Sequence, residues 1–113
     1  MSDDCLFCRI AAGEIPAEIV FEDAQVLVFR DVNPQAPTHV LAIPRRHVAS
    51  AAELTAADGE LLAALFGGLR SVAADEGLTA YRIISNVGAE AGQSVFHLHL
   101  HLLGGRPLSW PPG

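Results

Sequence analysis

Three of the chain's five histidines, His97, His99 and His101, fall at every second position of Ser-Val-Phe-His-Leu-His-Leu-His-Leu-Leu-Gly-Gly (94–105). In an extended chain, residues i, i+2 and i+4 share one face. The three imidazoles therefore point one way, and Phe96, Leu98, Leu100 and Leu102 point the other way as core. An imidazole is neutral near working pH, attacks phosphorus well and can exchange protons. Metal binding by all three on one straight strand is excluded by reach. Positions i and i+4 lie roughly 13 Å apart at about 3.3 Å per residue, while zinc takes nitrogen at about 2 Å. At most two of them ligate one ion, or one of them joins other ligands. The plainer alternative is three hydrogen-bonded, half-buried imidazoles, which strict alternation disfavours.

A phosphoryl or nucleotidyl transfer site also needs donors for the equatorial oxygens. Gly88-Ala-Glu-Ala-Gly92-Gln93-Ser94 runs directly into the histidine segment. Its small residues permit close approach by phosphate, its backbone amides can donate, and Ser94 adds a hydroxyl. Cys5 and Cys8 form a C-x-x-C pair. Three readings stand: a redox dithiol, two ordinary thiols on a short helix, or half of a zinc site that needs two further ligands. The first normally follows a strand, and too few residues precede Cys5 for one.

The remaining sequence must position these groups. The 113 residues suit one domain, 1–113, with 50% apolar residues for a core. Formal charge is −6, and all seven basic residues are Arg. Arg45-Arg46 is the only basic cluster, so general nucleic-acid binding is a poor fit. No apolar run approaches the roughly 18 residues of a membrane span. The acidic start, MSDDCLFCRI, is unlike a signal peptide, and the expected location is cytoplasmic. Residues 5–13 suit a short helix closed by Gly13. Residues 17–23 and 26–31 read as strands around a tight turn, and 39–44 as a central apolar strand. Thr55 to Asp58 reads as a capping box for one long helix. Leu61, Leu62, Leu65, Phe66, Leu69 and Val72 make its apolar face. Gly67-Gly68 inside it costs about 1 kcal/mol per Gly relative to Ala, which close packing on the sheet or a second subunit would explain. Residues 81–87 give a fourth strand. The order α-β-β-β-α-β-β predicts an α+β fold: a five-stranded, mainly antiparallel sheet with one long and one short helix.

His97-Leu-His99-Leu-His101-Leu-Leu matches H-φ-H-φ-H-φ-φ, where φ is apolar, and resembles the histidine triad (HIT) superfamily. Phe-Glu-Asp (21–23), Asn-Pro-Gln-Ala-Pro-Thr-His (33–39), Ile-Pro-Arg-Arg-His (43–47), Gly-Gln-Ser-Val (92–95) and Trp-Pro-Pro-Gly (110–113) are similar to its Hint branch of purine nucleoside phosphoramidases. The terminal Trp-Pro-Pro-Gly favours that branch over the dinucleoside polyphosphate hydrolases. Asn33, where Ser is common, and the variable Arg30 are small departures that touch ribose detail only.

The resemblance implies a homodimer with a sheet continuous across its interface. It also implies cleavage of adenosine or guanosine 5′-phosphoramidates to the nucleoside monophosphate through a covalent nucleotidyl-histidine. It makes His99 the nucleophile, places His101 beside the phosphate and gives His39 a supporting role toward the nucleophile. Ser94 would bond the leaving group. Amides near Gly92 and Gln93 would hold phosphate, Asp31 would bind the ribose, and Asn86 would lie near ribose and phosphate. Phe7, Ile10, Phe29 and Val32 would enclose the base. Trp110 would approach the partner subunit's site. Cys5, Cys8, His47 and His97 would form a structural Cys₂His₂ zinc site. Two rivals remain: a dinucleoside polyphosphate hydrolase, and a purine-nucleotide-binding scaffold with incidental turnover. Neither nucleic acid nor membrane is an expected partner.

Overall fold

A computed structural model describes residues 4–113; the first three residues of the expected domain lie outside this description. The elements are α1 (Leu6–Ala11), β1 (Ile19–Glu22), β2 (Val26–Arg30), β3 (Thr38–Pro44), α2 (Gly59–Asp75), β4 (Tyr81–Ser85) and β5 (Leu100–Gly104). The strands form one sheet in the order β1-β2-β3-β5-β4, and each neighbouring pair is antiparallel. The expected α+β architecture of five strands, one long helix and one short helix is therefore what forms.

The β1–β2 turn is built by Asp23, whose carboxylate accepts from the amides of Gln25 and Val26. Thr55 and Asp58 do form the capping box, but it caps a short 3₁₀ turn, Ala56–Asp58, that leads into α2.

β2 and β3 are buried on both faces, which explains their unbroken apolar runs. Val26, Val28, Val40 and Ala42 face α2, where they meet Leu61, Leu65, Leu69 and Val72. Leu27, Phe29, Leu41 and Ile43 face the other way and meet Phe7 and Ile10 of α1. The short helix thus closes the sheet face opposite the long one. In α2, a Cβ on Gly68 would lie 3.1 Å from side-chain carbons of Phe21 and Val28, so this glycine allows the helix to approach the sheet. Gly67 has open space around it. Phe66, assigned to the apolar face by spacing, is instead exposed; α2 covers only one side of the sheet, and its apolar stripe is narrower than the sequence pattern.

The histidine segment departs from a simple strand. β5 begins at Leu100, so only His101 of the three lies within the ladder. The β3–β5 register pairs Ala42 with Leu100, which would bring Pro44 opposite Leu98. Proline has no N–H to give, and the Pro44 carbonyl accepts from the His97 ring. Residues 96–99 continue instead as bent chain, tied by the Leu98 amide to the Val48 carbonyl at 2.6 Å. Leu98, Leu100 and Leu102 keep the core side. Phe96, expected beside them, is 54% exposed: the alternation reaches Leu98, two residues outside the ladder, and fails beyond it in the bent chain.

Candidate functional site

His99 sits between two clusters of side chains. Its Nδ1 lies 2.7 Å from the His97 carbonyl oxygen. A carbonyl only accepts, so Nδ1 carries the proton and Nε2 of the neutral ring keeps its lone pair. Phe7 packs edge-on against this ring, with centroids 5.1 Å apart, and fixes its plane.

The first cluster joins α1 to the bent segment. Nδ1 of the fully buried His97 is 3.3 Å from Cys5 Sγ and 3.4 Å from Cys8 Sγ. Nδ1 of His47 is 3.3 Å from Cys8 Sγ. The four donor atoms all lie within 4.8 Å of one another. Tetrahedral coordination with metal–sulfur near 2.3 Å and metal–nitrogen near 2.0 Å places sulfur and nitrogen about 3.5 Å apart, close to these separations. Nε2–H of His97 donates to the Pro44 carbonyl at 2.8 Å, which leaves its Nδ1 lone pair facing the sulfurs. Burial holds the His97 pKa below the ordinary value; nearby His47 and His99 push the same way, and the Pro44 bond opposes them. Burial and then the adjacent Cys5 push the Cys8 thiol up to about 11. Two close thiols resist ionising together, and a dication reverses that preference. The residues present therefore fit a closed metal site.

The second cluster is linked by protons. The Gln35 amide donates to His39 Nδ1 at 3.0 Å, so His39 carries its proton on Nε2. His39 Nε2–H donates to His101 Nδ1 at 2.9 Å, and Asp31 Oδ2 lies 3.4 Å from His39 Nε2. His101 is thereby left with its proton on Nε2. Burial pushes His101 down to about 4, with the neighbouring His99 and His39 adding to the effect and Asp31 opposing it. Burial likewise lowers His39, against the pull of Asp31. Asp31, His39 and His101 are close enough to hold an ion, but the His101 lone pair that an ion would use already accepts a hydrogen bond. His39 is thus bonded to His101, whereas the resemblance placed its support on the nucleophile.

A slot of about 240 Å³ brings Phe7, Ile10, Phe29, Asp31, Val32, Ser94, His99 and His101 together. Eight residues singled out from the sequence, drawn from three separate stretches, meet there. Leu6, Arg30, Leu41 and Val95 also line it; Leu6 and Val95 were not singled out, although their positions beside Phe7 and Ser94 could have suggested them. The glycine loop behaves differently. The Gly92 amide donates to the Ala89 carbonyl, and the Gln93 amide to the Gly88 carbonyl. The buried Gln93 side chain accepts from the Gly88 amide and donates to the carbonyls of Ala49 and Val95. These groups brace the loop that presents Ser94. Gly92 adopts φ of 103°, a conformation that favours glycine. Asn86 and Trp110 lie outside the slot and line a separate groove along β4. Trp110 is 81% exposed.

The family model described as scavenger mRNA decapping enzyme, C-terminal binding, matches residues 4–107. An uncharacterised HIT-like protein of Synechococcus elongatus is 53% identical over the full length of both chains, as is one of Synechocystis. Among solved structures, a HIT family hydrolase from Legionella pneumophila is 53% identical with a TM-score of 0.94, covering 97% of this chain and 100% of that one. A histidine triad protein from Clostridium difficile is 39% identical with a TM-score of 0.91, covering 96% of each chain.

Proposed function

The chain belongs to the histidine triad superfamily and has the fold of its hydrolases, and on this premise we propose that it is a purine nucleoside phosphoramidase of the Hint type. One observation carries the reading: the 2.7 Å bond from His99 Nδ1–H to the His97 carbonyl, which leaves Nε2 as a nucleophile beside an apolar slot. In this reading the base enters between Phe7, Ile10, Phe29 and Val32, which recognise its shape and stacking surface. Asp31 accepts from the ribose hydroxyls with the lone pairs that its local contacts leave free.

In the first step His99 Nε2 forms a bond to phosphorus and the P–N bond breaks. The electron pair goes to the departing nitrogen, which takes a proton from solvent through the Ser94 hydroxyl. The neutral His101 donates its Nε2–H to a phosphate oxygen, where its hydrogen bond counts for more as charge develops. In the second step water attacks phosphorus and gives up a proton to solvent, the P–Nε2 bond breaks with its electron pair returning to Nε2, and the nucleoside monophosphate leaves. Zinc, when held by Cys5, Cys8, His47 and His97, supplies a structural cross-link between α1 and the nucleophile's segment. The protein acts as a homodimer in which Trp110 reaches the partner's site.

The test is release of AMP from an adenosine 5′-phosphoramidate by wild type and His99→Ala. We expect a loss of at least about 10³-fold in the variant, as for removal of a covalent nucleophile, and an adenylated His99 peptide from quenched wild type. A folded wild type that releases no AMP overturns the assignment.

A further inference from the structure

The loop between β2 and β3 carries Asp31 and Val32 of the slot and, at Gln35, the amide that engages His39. Its Pro34 and Pro37 have no N–H with which to anchor it. Inside the loop, the Asn33 amide donates to Asp31 Oδ1, and the Gln35 side chain donates to the Asn33 carbonyl. From outside it comes Arg106, two residues past the end of β5. Its Nε and Nη2 both donate to the Gln35 carbonyl oxygen, at 3.1 and 2.9 Å. Its Nη1 donates to the Pro107 carbonyl at 2.9 Å, which ties the guanidinium to its own backbone. Gly105 makes this reach possible. It adopts φ of 94°, and a Cβ there would lie 2.9 Å from Pro37 Cβ, so the chain turns directly against the loop. The contacts close a ring. His101 accepts from His39, His39 accepts from the Gln35 amide, and the Gln35 carbonyl accepts from Arg106, which follows His101 by five residues.

We infer that Arg106 is a positioning residue of the proton-linked cluster: through Gln35 it selects the ring nitrogen on which His39, and then His101, carries its proton. The consequence for catalysis rests on the phosphoramidase reading; the choice of tautomer does not. Arg106 fixes the Gln35 carbonyl, and the amide of the same residue is thereby kept on His39 Nδ1. Once Gln35 swings away, His39 Nδ1 is free to hold the proton. His39 Nε2 then becomes an acceptor, and His101 donates to it from Nδ1. The Nε2 of His101 is left as a lone pair, which repels a phosphate oxygen where the N–H would have bonded it. Proton count does not change: each ring keeps one proton and moves it from Nε2 to Nδ1 by exchange with solvent. Asp31 Oδ2, 3.4 Å from His39 Nε2, favours the same tautomer as Arg106 does. Removing Arg106 therefore shifts the balance in part rather than reversing it.

The experiment records NMR spectra of isotope-labelled imidazole nitrogens, which separate protonated from bare ring nitrogens, for substrate-free wild type and Arg106→Ala. Wild type is expected to show His39 and His101 protonated at Nε2. In Arg106→Ala both are expected to become mixtures of tautomers. The Gln35 amide should exchange with solvent deuterium about fivefold faster, the scale of one lost hydrogen bond. A dispersed amide spectrum shows that the variant is folded. Hydrolysis of the ammonia adduct, adenosine 5′-phosphoramidate itself, then reads the consequence. Arg106→Ala should lower kcat about fourfold with KM within about twofold. It should have no further effect in a His39→Ala background, because both changes act through one ring. Ring nitrogens unchanged in folded Arg106→Ala overturn the inference, and so does a kcat loss that persists undiminished without His39. Release of no AMP by wild type, with the tautomers shifting as expected in the variant, overturns the phosphoramidase reading and supports Arg106 as the group that sets them.

Discussion

The two clusters on either side of His99 use the same residue type in opposite ways. In the sulfur cluster, His97 gives its Nε2–H to a carbonyl and turns a lone pair toward two thiols. In the proton-linked cluster, His39 takes an amide on Nδ1 and gives its Nε2–H to another imidazole. The first arrangement converges lone pairs, which is what a cation needs. The second passes a donor toward the slot, which is what a phosphate oxygen needs. The role of each histidine follows from which nitrogen its neighbours have already engaged. His97 also connects the sulfur cluster to the chemistry, because its carbonyl holds the His99 ring. α1 does so too, since it carries Cys8 with Phe7 and Ile10 of the slot.

Breaking the sulfur cluster should have the largest effect. Cys8→Ser is expected to bring bound zinc from about one per chain to below about 0.2, in keeping with the weaker affinity of a hydroxyl for this ion. It should lower Tm by about 8 °C or more, the shift produced by losing roughly 2 kcal/mol in a domain this size. Wild type that contains no metal by elemental analysis, with full activity, would reduce the cluster to packed thiols. The proton-linked cluster should respond differently. His39→Ala is expected to lower kcat about tenfold, with KM and Tm changing little, since it removes the partner that sets the His101 tautomer. A change in KM alone would place His39 in binding rather than in orientation.

The same contrast has a pH signature. The folded His101 pKa, about 4, lies below the unfolded value near 6.5. The unfolded chain therefore binds more protons as pH falls, and stability contributed at neutral pH is lost between about 6.5 and 4. His101→Gln should show a shallower fall in Tm across that window than wild type; identical slopes would remove His101 as a source. The smallest effect is expected from Phe7→Leu, which keeps apolar volume but loses the edge-on contact with His99. A threefold decrease in kcat/KM corresponds to about 0.7 kcal/mol, within the range for aromatic pairs. Kinetics with the ammonia adduct measure it, and an unchanged value would leave the His97 carbonyl as the sole constraint on the ring.

Much of this was legible because the relevant physics is local or periodic. The doubly buried β3 is a continuous apolar run, and the β1–β2 turn is an Asp23 side chain bonding its own neighbours. Leu98, Leu100 and Leu102 reach the core as alternation requires. What escaped depends on where pairing stops. No property of Phe96 itself says that the ladder begins only four residues later, or that Pro44, distant in sequence, stands opposite Leu98. Phe66 is comparable: the helical period places it on the apolar face, but the width of the surface that α2 covers decides its burial. The glycine loop shows a third kind of miss. Its amides could have faced a phosphate, and Gly92 and Gln93 use theirs to close the loop on itself.

The sequence by itself determined the elements, their order, the family and most of the residues that meet in the slot, because these are set by periodicity, turn chemistry and motif spacing along one chain. Only the tertiary structure decided what each histidine does. A ring nitrogen becomes donor, acceptor or ligand through the group it meets, and for His39, His97 and His99 the deciding contacts are fixed by folding: the Pro44 carbonyl and two thiols for His97, its own segment's carbonyl for His99, and His101 for His39.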